Sequence, residues 1–227
     1  SDTPRVDTPH SRRKVTMDDY DWADLVDQED KVRMLISPQS EYAQAGAWAM
    51  GRAMDDAIIA AATGTAYGGV SGGTSVSLPS GQKVVHGSAN LTIAKLLAAK
   101  KILDENETDP EEARFLICTA DQISDFLNIS EVKSSDFNTI KALAQGQIDS
   151  YLGFKFIRSE RLGTDGDGNR QVLAFCQSAI GLALGRDIQT KISERADKNY
   201  ATQVFLSMTI GATRVEDEKV VEIACSE

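Results

Sequence analysis

The chain has 227 residues, of which 41% are hydrophobic, 26% charged and 6% aromatic, and this composition is typical of a globular protein, not of a disordered or fibrous one. Its 34 acidic and 24 basic residues give a formal net charge of -10, which disfavours a protein whose main task is to grip nucleic-acid phosphates. No apolar run approaches the roughly 20 residues that a membrane-spanning helix needs, so we expect no membrane partner.

The N-terminal segment is predicted to be an extended ribbon. Two Thr-Pro steps within the first nine residues disfavour a helix, and a basic cluster of Arg12, Arg13 and Lys14 follows them. The next segment, residues 17–30, carries seven acidic side chains and no basic one. Such a run is either a solvated face or an acidic docking surface for a basic partner.

The basic cluster of Arg12, Arg13 and Lys14 is expected to pair with acidic side chains. No helix is available to place acids one turn away from these cations, and like charges side by side repel each other. The acidic run is too close along an extended tether to pair with them easily, so the acids of a neighbouring copy are the expected partners. The predicted intersubunit residues are Arg5, Arg12, Arg13, Lys14, Asp18, Asp19 and Asp21.

A long helix of roughly 26 residues is predicted between Ser37 and Gly64. The Ser37 hydroxyl suits an N-cap, Pro38 is tolerated at the first helical position, and Gly64 is a natural stop. Small residues dominate the middle of this helix, and Gly46 and Gly51 each lower the stability of the helix by roughly 1 kcal/mol relative to Ala. These two glycines indicate either close packing against a sheet or a helix that must bend.

The rest of the chain is predicted to be mixed α and β in the middle and rich in strands toward the C-terminus. A flexible glycine-rich loop is expected at 64–73 and a hairpin turn at 165–169. The predicted helices cover 91–106, 121–127 and 137–145, and the predicted strands cover 74–78, 114–119, 154–158, 172–176, 188–194, 202–214 and 219–225.

Motifs that carry chemistry are weak in this sequence. Residues 69–73 match the G-x-S-x-G pattern of a hydrolase nucleophile, but a helix before them and a strand after them reverse the required order. Residues 165–169 open like a calcium loop, but Arg170 and Cys176 stand where that loop needs Gly and Glu. The three cysteines have no short spacing, which predicts buried thiols and not a disulfide framework. We therefore predict no catalytic, cofactor or metal site.

The order of these features resembles the major capsid proteins of tailed bacteriophages, which have the Hong Kong 97-type shell fold. The resemblance covers essentially the whole chain. Its most specific parts are the acidic segment YDWADLVDQED joined to the small-residue helix EYAQAGAWAMGRAMDDAIIAAATG, and the C-terminal stretch from Glu194 to Cys225.

The resemblance implies an α+β fold with a long spine helix, a peripheral β-rich domain, an α/β axial domain and part of an extended E-loop. The implied division is an E-loop strand and the approach to the peripheral domain at 1–22, the peripheral domain with its spine helix at 23–88, the axial domain at 89–185 and returning peripheral strands at 186–227. It also implies an N-terminal arm and a second E-loop strand upstream, which are either removed during maturation or left out of this sequence.

The implied function is that of a structural major capsid protein, not an enzyme, that self-assembles into an icosahedral shell around phage DNA. The implied partners are copies of itself as pentamers and hexamers, scaffold, portal and cement proteins, and double-stranded DNA held without sequence-specific contacts. It implies location in the virion capsid, assembly in the host cytoplasm and no cofactor. Three alternatives stay open: an encapsulin-like nanocompartment shell, a phage neck or tail adaptor, and a small acidic enzyme with carboxylates near the glycine-rich loop.

Overall fold

The computed structural model describes residues 11–27, 38–128 and 150–226, which contain three α-helices and twelve strands. In chain order these are β1 (Arg13–Lys14), β2 (Asp18–Val26), α1 (Pro38–Thr63), β3 (Ala66–Gly68), β4 (Thr74–Val76), β5 (Lys83–Val84), α2 (Ile93–Glu105), β6 (Arg114–Cys118), α3 (Ala120–Asn128), β7 (Ser150–Tyr151), β8 (Phe154–Arg158), β9 (Arg170–Cys176), β10 (Ile180–Arg195), β11 (Ala201–Arg214) and β12 (Val220–Cys225).

The strands of the described residues form three sheets. One has the order β5-β12-β9-β6-β8-β7, the second has the order β10-β11-β2, and the third is the small sheet β1-β3-β4. Two pairs, β6 with β8 and β12 with β5, are parallel, and the other pairs are antiparallel. The sheets therefore join segments that are far apart in the sequence.

The larger hydrophobic core lies between the six-stranded sheet and α2. Leu96, Ala99 and Leu103 are fully buried, and their spacing of three and four residues gives α2 one apolar face. Thr92 caps this helix, since its hydroxyl oxygen accepts the Lys95 backbone N–H at 3.3 Å. In β6 and β12, buried residues follow one another directly and do not alternate with exposed ones. Both faces of these two strands are therefore covered.

The smaller core lies between α1 and the β10-β11-β2 sheet. Alternate residues of β11 point toward the helix, and these are Val204, Leu206, Met208 and Ile210, all at most 1% exposed. Burying side chains of this size contributes roughly 1.5–3 kcal/mol each, so this stripe holds the helix to the sheet. The odd-numbered residues of β11 consequently point to the sheet face away from α1.

The long helix and most predicted strands are confirmed. The helix ends as expected, with the Gly64 backbone N–H bonded to the Ala60 carbonyl at 2.9 Å. The predicted strand 188–194 is too short, because β10 begins at Ile180. The Ser37 cap and the predicted helix 137–145 lie outside the described residues.

Two predictions about loops are wrong. The glycine-rich segment is not one flexible loop, because Ala66–Gly68 pairs with both Arg13–Lys14 and Thr74–Val76, and the turn of this β-hairpin is formed by Gly69–Gly72. Residues 165–169 form a tight turn, but β8 and β9 on either side of it are not paired with each other. Strand β6 lies between them, parallel to β8 and antiparallel to β9.

The three cysteines are buried and none forms a disulfide, which confirms the expectation of buried thiols. Burial in the larger core raises the pKa of the Cys118 thiol to about 12, so this group remains uncharged near neutral pH. In the part of the chain that the structure describes, no helix is long and apolar enough to cross a membrane.

The two helix glycines have different surroundings. A Cβ atom on Gly46 would lie 2.7 Å from Leu206 Cδ1 and 2.8 Å from Trp22 Cε3, whereas a Cβ on Gly51 would have no neighbour within 4 Å. Close packing therefore explains Gly46 and leaves Gly51 unexplained. For Gly51, helix bending stays a prediction.

We expect opposite effects of alanine at these positions. Gly51→Ala should raise the free energy of unfolding by up to about 1 kcal/mol through helix propensity alone. Gly46→Ala should lower it, because overpacking a filled core costs about 1–3 kcal/mol. Urea unfolding of both variants measures the difference, and equal stabilisation by the two substitutions would contradict the assigned packing.

Candidate functional site

The predicted intersubunit residues divide into four groups. Arg5 lies outside the described residues. Arg12 and Lys14 are exposed on the ribbon that leads into β2, and Asp18, Asp19 and Asp21 lie on β2 itself. Arg13 differs from its two neighbours, because it is turned into its own chain.

Arg13 has partners within the same chain. Its Nε donates to the Val215 carbonyl at 3.1 Å, and its Nη2 lies 2.7 Å from Asp217 Oδ2, with both side chains about 15% exposed. The expectation that the whole basic cluster lacks an intrachain partner is therefore wrong for Arg13. Because Asp217 is 204 residues away in sequence, no local pattern indicated this pair.

Asp217 is also bound by a second arginine, Arg214, which is fully buried. The Arg214 Nε donates to Asp217 Oδ1, and Nη1 donates to the carbonyls of Ala62 at 2.9 Å and Gly64 at 2.7 Å. Its Nη2 donates to the Val76 carbonyl at 2.9 Å. One guanidinium thus satisfies carbonyls at the end of α1 and of β4 while pairing with a carboxylate.

The position of Arg214 suits the end of a helix. The last carbonyls of α1 have no partner inside the helix, and they carry the negative end of its dipole. The Arg214 guanidinium donates hydrogen bonds to the carbonyls of Ala62 and Gly64, and its positive charge lies at the negative end of the helix dipole. Because the same cation contacts Asp217, which in turn holds Arg13, the helix end and the ribbon are joined by one chain of charged contacts.

Two glycines let the ribbon lie directly on the β10–β11 hairpin. A Cβ on Gly211 would lie 2.1 Å from the Thr16 carbonyl oxygen, and a Cβ on Gly185 would lie 2.7 Å from Met17 Sδ. Any larger residue at Gly211 would therefore push the ribbon away. A glycine inside a strand indicates close approach of another backbone, and Gly211 lies inside the strand predicted at 202–214, so the sequence contains a sign of this contact.

The segments that resemble catalytic or calcium motifs have structural roles. Ser71 lies exposed in the turn of the β3–β4 hairpin. Asp165 Oδ1 accepts the backbone N–H groups of Asp167 at 3.0 Å and Asn169 at 2.8 Å, and hydrogen bonds from Asn169 lower the pKa of the Asp165 carboxyl. Over the described ranges, no three potential metal ligands come together.

Replacing Arg214 should destabilise the fold strongly. Arg214→Met removes the donors to the Ala62, Gly64 and Val76 carbonyls and leaves Asp217 with Arg13 as its remaining arginine partner. Breaking a buried pair of this kind costs about 3–5 kcal/mol. Arg214→Lys should also lose stability, since an ammonium cannot reproduce a planar fork of donors.

Chemical unfolding measures the free energy of unfolding of both Arg214 variants. Arg52→Met is the matched control, because Arg52 is exposed on α1. The control should stay within about 0.5 kcal/mol of the parent. An Arg214→Met protein as stable as the control would contradict the role given to this residue.

Comparisons with known proteins agree with the fold. Residues 1–227 match a family model described as phage capsid protein. A capsid structure of the cyanophage P-SCSP1u is 18% identical, with a TM-score of 0.69, over 94% of this chain and 74% of that one. A structure from Mycobacterium phage Che8 is 20% identical, with a TM-score of 0.64, over 91% and 70%.

A shell of another kind also shares the architecture. The SrpI encapsulin from Synechococcus elongatus PCC 7942 is 10% identical, with a TM-score of 0.57, over 92% of this chain and 73% of that one. A search of curated proteins found no match. The predicted Hong Kong 97-type fold class is confirmed by these likenesses.

Proposed function

The chain belongs to the phage capsid protein family, and from this premise we propose that its copies assemble as pentamers and hexamers around packaged double-stranded DNA. It is a structural major capsid protein of an icosahedral shell, and the match of the family model to all 227 residues carries this conclusion. Scaffold, portal and cement proteins are its further proposed partners, and the host cytoplasm is the proposed place of assembly.

The charge of the chain supports a shell that does not hold its contents tightly. A net charge of -10 disfavours the counterion release by which basic proteins bind DNA. A capsid lining of this kind would leave the packaged genome mobile. Sequence-specific recognition of DNA is not part of the proposal.

The proposed domains keep the boundaries predicted from the resemblance, namely 1–22, 23–88, 89–185 and 186–227. The smaller core around α1 and the larger core around α2 support a division into a peripheral and an axial part, and Ala62 at the end of α1 belongs to the larger core. The six-stranded sheet takes strands from three of these ranges, since it includes β5 and β12 beside the strands of 89–185. The two parts are therefore joined by shared strands and not by a single linker.

The alternatives have less support. The family and the fold are those of structural proteins, which disfavours an enzyme. A cleft of about 340 Å³ between α1 and the six-stranded sheet has mainly apolar walls, and Asp55 and Arg158 are its charged lining residues. The family model favours a phage capsid over an encapsulin-like shell or an adaptor.

Particle contents test the proposed function. The full-length protein, expressed with its phage assembly partners, should give closed icosahedral particles in negative-stain images, and these should protect double-stranded DNA from nuclease. Particles filled with protein instead of DNA would support the encapsulin reading. A protein that stays a monomer or small oligomer at all concentrations would contradict the proposal.

We further propose that Arg12 and Lys14 contact a neighbouring subunit, because both are exposed on the ribbon while Arg13 is held internally. Arg12→Glu combined with Lys14→Glu should leave the melting temperature nearly unchanged and slow particle formation, and raised salt should weaken assembly of the unmodified protein. Arg13→Glu is the comparison variant, since it should lower the melting temperature by breaking the pair with Asp217.

Light scattering measures the rate of particle formation, and thermal unfolding measures the melting temperature of each variant. Normal assembly of the Arg12 and Lys14 double variant at low salt would refute the intersubunit role of these residues.

A further inference from the structure

The β10-β11-β2 sheet has two edges over the described residues, one at β10 and one at β2. Edge strands present unpaired backbone N–H and carbonyl groups that can accept another strand. Strand β10 is 16 residues long, and its section from Gln189 to Arg195 pairs with β11 without any shift of register. Its outer edge is therefore regular enough to pair over that section.

The two edges carry opposite charges on one face of the sheet. On the face away from α1, β2 presents Asp19 and Asp21, and β10 presents Arg186 and Lys191. Thr209 of β11 lies between Asp19 and Arg186 in one row of the sheet, whereas Asp21 shares its row with Gln189 and Lys191 shares its row with Ala23. All four charged side chains are exposed.

These charges are not neutralised within the described part of the chain. Asp19 accepts a hydrogen bond from the Thr209 hydroxyl at 2.5 Å, and no ion pair among the described residues reaches Asp21, Arg186 or Lys191. Like charges along one edge repel each other. Pairing of two β2 edges or of two β10 edges is therefore disfavoured, whereas a β2 edge and a β10 edge attract.

We propose that β2 of one copy pairs with β10 of the next copy, edge to edge, with Asp21 opposite Lys191. This inference rests on the proposed function, because it names one contact through which copies of the chain associate. Backbone hydrogen bonds provide the attraction between the edges, and the charges decide which edge meets which. Such a contact uses two different surfaces, so it can repeat from copy to copy, and it forms a ring when the rotation between neighbouring copies closes.

A charge swap tests the pairing. Asp21→Lys alone and Lys191→Glu alone should each raise the concentration needed for assembly about fivefold, because an exposed attraction becomes a repulsion. The combined variant Asp21→Lys with Lys191→Glu restores the attraction and should return to within about twofold of the unmodified protein. Lys101→Glu with Lys155→Glu is the control, since both lysines are exposed away from this sheet.

A covalent test does not depend on the strength of assembly. The full-length protein with Asp21→Cys and Lys191→Cys should form a ladder of disulfide-linked chains when assembled particles are oxidised, because paired strands bring Cβ atoms to about 4.5–5.5 Å. Asp21→Cys with Lys155→Cys should not. The three natural cysteines are buried and do not compete in folded protein.

The outcomes separate this inference from the proposed function. Rescue by the combined swap, or a ladder from the first cysteine pair alone, supports edge pairing. A different result would overturn edge pairing and leave the capsid function intact: the unmodified protein forms particles, each single charge reversal assembles as well as the unmodified protein, and the Asp21→Cys with Lys191→Cys variant gives no ladder. Failure of the unmodified protein to form any particle would overturn the function instead.

Discussion

One buried guanidinium, that of Arg214, is the contact on which the rest of the structure depends. It donates to the carbonyls of Ala62, Gly64 and Val76 and pairs with Asp217, so it ties the end of α1, the end of β4 and the β11–β12 connection to one point. A buried cation is stable only when its charge and its donors are satisfied, and here both conditions are met. The positions of three segments are thereby coupled.

This coupling gives the ribbon a defined direction. Asp217 holds Arg13 as well as Arg214, and Gly211 lets the Thr16 backbone lie against the sheet. The ribbon therefore leaves the body of the subunit at a fixed place beside the end of the spine helix.

The elements that local chemistry determines could be predicted from the sequence. The limits of α1 follow from Pro38 and Gly64, and the β11 stripe follows from alternating apolar residues. The contacts between distant segments could not be predicted in this way. Nothing near Arg13 indicates Asp217, and nothing near residues 165–169 shows that β6 lies between β8 and β9. The resemblance to capsid proteins gave the fold class, but the internal pairing of Arg13 appears only in the structure.

Hydrogen exchange on an Asp217→Asn variant tests the central claim most directly. If Asp217 couples the ribbon to the helix end through its two arginines, the amides of residues 11–17 and those of the last turn of α1 should both exchange faster than in the unmodified protein. The amides of α2, which makes no hydrogen bond or ion pair to Arg13, Arg214 or Asp217, should be unchanged. Faster exchange in the ribbon alone, with the end of α1 fully protected, would contradict the account.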